Sequence, residues 1–295
     1  MISRVLDVLR CPHCHNRFTT ADPALRCTAG HSFDIAKQGH VNLLGHAPGA
    51  NADSAEMVAA RLRVLESGLF APLTDALIRA THAALASSSA PDPHAHRDAT
   101  SARNAGSSSE ELGDGGVVVD AGAGPGHHLG RIVAAVGARG VACDVSPAAC
   151  RRAAKVPGVA AVVADTWAGL PVGDHGADVV VLSVFAPRNW ADFARMTRRA
   201  VIVAAPGPGH LQSIRSAHQL LQVDADKFDE LDQRAAAAGL ECTDVIEVDH
   251  NATAEAALVA DLVGMGPNAF HGAPQVTAAQ PVEIAVRVAT YRPTS

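Results

Sequence analysis

Two groups of residues in this 295-residue sequence have the types and spacing to do chemistry. The first is Cys11, Cys14, Cys27 and His31, spaced C-x2-C-x12-C-x3-H. Three thiolates and an imidazole close a tetrahedral zinc shell, and four protein ligands leave no position open for a substrate, so such a zinc is structural. His13 and His15 compete for the same metal, and His31 is preferred because it completes the second pair. The second group is Asp120, Gly122, Gly124 and Gly126, spaced D-x-G-x-G-x-G, with Asp144 twenty residues beyond Gly124. Glycines permit a sharp turn and let backbone N–H groups approach a ligand, and a helix start adds partial positive charge. A carboxylate at the distance of Asp144 suits ribose hydroxyls, so this group reads as a cradle for a nucleotide-like cofactor.

Elements must hold these residues in place. Val117-Val-Val-Asp120 reads as a buried strand running into the glycine turn, and Leu129, Ile132, Val133 and Val136 continue at helical spacing. Val141 to Asp144 is the next strand, and Ser146-Pro147 supplies an N-cap and a first-turn proline. A dinucleotide fingerprint, G-x-G-x-x-G, requires glycine at position 127, where His127 stands. The spacing present is instead that of S-adenosylmethionine (SAM) methyltransferases. Further strands are expected at 160–164, ending at Asp165, at 177–183, followed by Phe185-Ala-Pro-Arg-Asn189, and at 201–205, followed by Pro206 to Leu211. A charged helix over about 225–238, an antiparallel pair at 240–248 and 282–290, a helix near 253–263 and a loop from Met265 to His271 complete the chain. The expected fold is α/β: a Rossmann-like class I SAM-dependent methyltransferase domain with a small N-terminal zinc-binding domain.

The totals agree with that. With 48% hydrophobic and 18% charged residues the chain can bury a sizeable core, and no apolar run approaches the ~20 residues of a membrane span, so no membrane partner is expected. The N-terminus lacks the apolar core of a secretory signal, and the remaining cysteines, 143, 150 and 242, fall in apolar segments. Both point to a reducing cytoplasm rather than export. The net charge of −6 neither advertises nor excludes nucleic acid, since binding depends on local patches.

Four segments are expected. Residues 1–46 form a separate zinc unit too small for a core of its own, folded by its metal. Residues 47–86 are a helical connection in which Asp53 and Glu56 have capping-box spacing, Gly68 ends one helix and Pro72 begins another. Residues 87–116, rich in serine, proline and glycine, bury too little apolar surface to offset chain entropy and are expected to be a disordered insert. Residues 117–295 are the methyltransferase domain.

The zinc spacing, the segments FDIAKQGHVNLL, AEMVAAR and LESGLFAPL, the glycine turn, and then ADTWAGLPV, VFAPRN and APGPGHLQSIR together resemble the large-subunit ribosomal RNA guanine-N1 methyltransferases of the RlmA type. Two departures stand out: His40 where that family usually has tyrosine, and the long 87–116 segment. The resemblance implies a SAM-dependent enzyme whose zinc module recognises 23S ribosomal RNA and whose target is a guanine in a hairpin loop near the macrolide-binding tunnel. Drug resistance is a derived expectation. It implies SAM contacts at Phe70, Gly124, Pro125 and His210, beside Asp120 and Gly122 of the turn, Asp144 for the ribose and Asp165 for the adenine amino group. Guanine N1 carries a proton that must leave, and Asp165 or a bound water are the candidates to accept it, while Phe185 could stack on the base. Methylation of a small metabolite, with a merely structural zinc, and a non-catalytic zinc-dependent RNA-binding protein stay open as other readings, as does a homodimer.

Overall fold

An eight-stranded mixed sheet organises the chain in the computed structural model, which describes residues 1–294 apart from 22, 47, 48, 50, 51, 88–115, 177, 178, 219, 221, 222, 225 and 267–275. The N-terminal strands β1 (Phe18–Ala21), β2 (Ala24–Cys27) and β3 (Ser32–Asp34) form a small antiparallel sheet of their own. The large sheet contains β4 (Val41–Asn42), β5 (Val117–Ala121), β6 (Arg139–Asp144), β7 (Val159–Val163), β8 (Val179–Val184), β9 (Ala200–Pro206), β10 (Leu240–Ala254) and β11 (Gln280–Pro293). Its order is β10-β11-β9-β8-β5-β6-β7-β4, parallel from β4 to β9 and antiparallel at β11 and β10. Val119 lies opposite Val141 on one side and Val181 on the other. The chain runs outward from β5 through β6 to β7 and then returns to β8 beside β5, which makes the tips of β5 and β8 the switch point where doubly wound sheets open a crevice.

Both faces of the sheet are covered, which explains the unbroken valine runs that make up its strands. Side chains alternate between faces along each strand. Val118 points into a core with Leu73, Leu77, Leu129 and Ile132, from α2 (Ala71–Ala86) and α3 (His127–Val136). Its neighbours Val117 and Val119 point the other way, into a core with Phe193 and Met196 of α5 (Trp190–Met196) and with Tyr291 of β11. Each such buried side chain contributes about 1.5–3 kcal/mol relative to exposure. Among the described residues no helix is long and apolar enough to cross a membrane.

The N-terminal segment does not stand apart as its size and spacing suggest. Ile2, Val5 and Leu9 are buried in the same core as Val117 and Val119. Val41–Asn42 pairs in parallel with Val162 and Val163 as the edge strand, and Arg139 makes a bidentate ion pair with Asp7 at 2.9 and 3.0 Å. The apolar residues of the unit share the core of the sheet.

Helix α1 (Ala55–Glu66) is capped by Ser54, whose hydroxyl accepts from Met57 N at 3.2 Å, so the Asp53–Glu56 capping box does not form. Asp53 pairs instead with Arg61. Ser146 caps α4 (Pro147–Ala153) with proline in its first turn, as the sequence predicts. The antiparallel pair is longer than expected because β10 continues through His250, Asn251 and Thr253, opposite Ile284, Glu283 and Pro281, and the following helix α8 spans Ala256–Gly264. The expected insert at 87–116 falls almost wholly outside the described residues, as does most of the Met265–His271 loop.

Candidate functional site

The cysteine and histidine spacing folds into a cluster. The β1–β2 hairpin carries Cys27 back to the Cys11–Cys14 turn, and His31 follows on the next turn. One ligand atom from each of Cys11, Cys14, Cys27 and His31 lies within 4.8 Å of the others. Cys14 Sγ is 3.7 Å from Cys27 Sγ, and His31 Nδ1 is 3.5 Å from Cys11 Sγ and 3.4 Å from Cys27 Sγ. A tetrahedron with Zn–S near 2.3 Å and Zn–N near 2.0 Å has edges of about 3.5–3.8 Å, so the donor set and its dimensions fit zinc. His13 stays outside it, stacked on Phe33 at 5.5 Å.

The glycine turn closes over the tip of β5. Gly122, Gly124 and Gly126 all have positive φ, at 80°, 54° and 76°. The need for glycine is most acute at Gly122, where a Cβ would sit 2.4 Å from that of Ala186, in the loop after β8. Asp144, at the tip of β6, fixes the turn: its Oδ2 accepts from Gly124 N at 2.8 Å and its Oδ1 from Ser146 N at 2.8 Å. Each oxygen keeps a lone pair for a ligand.

A cavity of about 290 Å³ opens at this switch point. Phe70, Asp120, Gly122, Gly124, Pro125, Phe185 and His210 line it together, with Arg61, Leu211 and Arg215 added. Asp144 borders it through its bond to Gly124. Asp165 does not: it lines a larger cavity, and its Oδ1 accepts from Trp167 N at 2.9 Å. Phe185 is stacked on His210 at 5.4 Å, and Phe70 meets both rings at 6.1 Å. Phe185 holds a left-handed backbone, φ 53°, with 41% of its surface exposed, and Leu211 is similarly strained at φ 53°. Backbone strain of this kind costs about 1–3 kcal/mol per residue and gathers at functional sites.

Two polar atoms of residues lining this cavity, one of a carboxyl and one of an imidazole, lack protein partners. Asp120 Oδ1 and His210 Nδ1 are buried with none among the described residues. Burial, with Asp144 adding its charge, pushes the Asp120 carboxyl up to about 8. Burial, with Arg215 and Lys227 nearby, pushes the His210 imidazole down to about 3, so it is neutral. A carboxyl held this way takes its charge readily when a cationic ligand arrives, and SAM is cationic at both its sulfonium and its ammonium. The cradle, the free lone pairs of Asp144 and the orphaned atoms of Asp120 and His210 therefore fit SAM.

Arg61, Leu211 and Arg215 escape a reading of the sequence because they sit inside helical patterns or beside a glycine-proline loop. The larger cavity, about 1110 Å³, lies between the N-terminal unit and the sheet. Arg10, His13, His15 and Arg17 line one side and Asp165, Asp192 and Arg195 the other.

Comparison with known proteins bears on both sites. Residues 9–46 match the family model described as RlmA, N-terminal, and residues 118–207 match that of a methyltransferase domain. A 23S rRNA (guanine(748)-N(1))-methyltransferase of Streptomyces fradiae is 36% identical, covering 96% of this chain and 93% of its own. A protein of Micromonospora griseorubida, provisionally designated a 23S rRNA (guanine-N1)-methyltransferase, is 40% identical over 98% of each chain. A Bacillus subtilis protein with the same provisional designation is 31% identical, covering 77% of this chain and 73% of its own.

Proposed function

The chain belongs to the 23S rRNA (guanine-N1)-methyltransferase family, and on that premise we propose that it methylates the N1 atom of a guanine in a hairpin loop of large-subunit ribosomal RNA. The observation that carries this reading is the union, in one chain, of a Cys3His cluster with a cavity over β5 that joins a glycine turn, a buried carboxyl and an aromatic group. SAM supplies the methyl group on a sulfonium, an electrophilic carbon that needs alignment with its acceptor more than activation.

The work of the protein is then to hold and to exclude. Asp144 takes the ribose through its remaining lone pairs, and Gly124 with Pro125 lets the donor lie against the turn. Asp120 answers the donor's positive charge. Phe185, half-exposed at the mouth, offers a stacking face to a base turned out of its loop, worth about 1–3 kcal/mol. Phe70 and His210 back that ring, and the neutral imidazole of His210 gives the cavity a polar contact without a competing charge. The proton on N1 has to leave as the new bond forms, and the open mouth beside Phe185 gives water access to it. Asp165 lines the larger cavity with Arg10 and Arg17, and these with the exposed Trp167, two residues further on, suit an approaching RNA strand. This chemistry belongs in the cytoplasm. A methyl group at a macrolide-contacting guanine would also lower drug sensitivity, so gene deletion is expected to raise it.

Incubation of the purified protein with methyl-labelled SAM and protein-free large-subunit RNA tests the reading. Nucleoside digests are expected to carry the label in 1-methylguanosine; label in a different nucleoside, or none, refutes it.

A further inference from the structure

Beside the aromatic wall lies a group of cations that the methyl-transfer reading leaves unused. Arg188 belongs to the loop after β8, Arg215 to α6 (Gln212–Ala217) and Lys227 to the first turn of α7 (Lys227–Ala237). Phe228 brings the start of α7 against the loop after β9, since a Cβ on Gly207 would lie 3.6 Å from its ring. The three are close enough to press on one another: Lys227 is held below its ordinary value by burial and then by Arg188 and Arg215, and Arg215 and Lys227 both depress His210.

No carboxylate bonds to them, although Glu230 acts on Lys227 from a distance. Among the described residues none of the three makes an ion pair or a side-chain hydrogen bond, whereas Arg61, Arg63, Arg139, Arg195, Arg234 and Arg287 each have a carboxylate partner. Nε of Arg188 and Nη1 of Arg215 are buried donors without acceptors. The nearby Glu283 is engaged by the N–H and hydroxyl of Ser213. His210, 95% buried, adds an orphaned Nδ1 at the same place. Two guanidinium groups, each with a buried donor unmet and one of them lining the cavity, lack only an oxyanion.

We propose that Arg188, Arg215 and Lys227 form a clamp for a backbone phosphate next to the target guanine. The inference rests on the RNA reading above. Two oxyanions come to this cavity under that reading, an RNA phosphodiester and the carboxylate of SAM, and topology favours the first. Asp144 is at the tip of β6, whereas the cations follow β8 and β9, two and three strands away, about 10–14 Å at ~4.8 Å per strand. Arg188 and Lys227 are not among the residues lining the donor cavity, and Arg188 shares the loop of the exposed Phe185, at the mouth where an acceptor nucleotide enters. The clamp would fix the sugar-phosphate on either side of a base that stacks on Phe185, supplying position rather than sequence recognition.

The test uses the full-length protein and the variants Arg188→Gln, Arg215→Gln and Lys227→Gln, with Arg188→Lys as the charge-keeping control. Three quantities are read for each: SAM affinity by calorimetry, KM for a large-subunit RNA fragment, and the salt dependence of RNA binding. The clamp predicts that each glutamine variant raises the RNA KM about tenfold, the contribution of one charge-assisted hydrogen bond. It also lowers the slope of log K against log salt by about one, while SAM affinity is unchanged and Arg188→Lys recovers part of the loss. Thermal stability holds or rises, because an uncompensated buried charge is removed. Loss of SAM affinity with RNA binding intact assigns the cations to the donor carboxylate and overturns the clamp. RNA binding and salt slope equal to wild type in all three variants overturn it too. If the wild-type protein binds the fragment through these cations yet methylates no RNA, the clamp stands and the reaction assigned above fails.

Discussion

Asp120 makes the sharpest prediction, because its carboxyl is buried, lacks a partner at Oδ1 and is pushed up to about 8 by burial and by Asp144. In the unfolded chain the same group titrates near its ordinary value of 3.8. Between those values the folded protein keeps a proton that the unfolded chain has lost, so stability falls as pH rises through that window and levels off above about 8. Each pH unit inside the window corresponds to about 1.4 kcal/mol. The Asp120→Asn variant keeps the shape and removes the titration. In urea melts from pH 5 to pH 8, the wild type should therefore lose about 2–3 kcal/mol relative to Asp120→Asn between pH 5 and pH 7. Other titrating groups, including His128 and His210, are common to both proteins and cancel in the difference. The same carboxyl predicts that SAM binding near pH 6.5 releases up to one proton, seen in calorimetry as a dependence on buffer ionisation enthalpy that Asp120→Asn lacks. Parallel stability curves for the two proteins across pH 5–8 would refute the reasoning.

Other perturbations probe the remaining parts. Leu9→Ala removes a fully buried side chain between the N-terminal unit and the sheet, so it should cost about 2–5 kcal/mol and lower the melting temperature of the entire chain; an unchanged melt would mean that the unit folds independently. Trp167→Ala acts at a ring 65% exposed, so it should leave the melt unchanged while weakening RNA binding by about 1–3 kcal/mol in filter binding, and unchanged binding would remove Trp167 from the RNA path. Gly122→Ala places a Cβ 2.4 Å from Ala186 at φ 80°, and calorimetry should show SAM affinity lost even where circular dichroism shows the fold retained.

Much of this molecule is legible in its sequence because local chemistry dictates it. The valine runs of β5 and β8, the glycine turn and the Ser146-Pro147 cap need only nearest neighbours to be read, and each is where the pattern puts it. The metal ligands are legible for the same reason, since Cys11 and Cys14 share one turn and Cys27 and His31 the next. What was not legible depends on distant residues. Asp53 has capping-box spacing, yet Arg61 claims it and Ser54 caps the helix. The N-terminal unit reads as separate until Leu9 is seen in one core with Val117 and Val119 and Val41 beside Val162. Arg188, Arg215 and Lys227 are scattered over nearly forty residues and acquire meaning only when one loop and two helices meet. Phe185 is legible as a ring that could stack on a base, but its left-handed backbone and exposure appear only in three dimensions.

The central claim is that a methyl group is delivered to guanine N1, and primer extension on large-subunit RNA tests it most directly. A methyl there removes a Watson–Crick donor and blocks pairing, so RNA treated with the protein and SAM should give one new reverse-transcription stop, next to a loop guanine. The stop should be absent without SAM and absent with Gly122→Ala. Methyl incorporation into that RNA with no new stop would contradict the account.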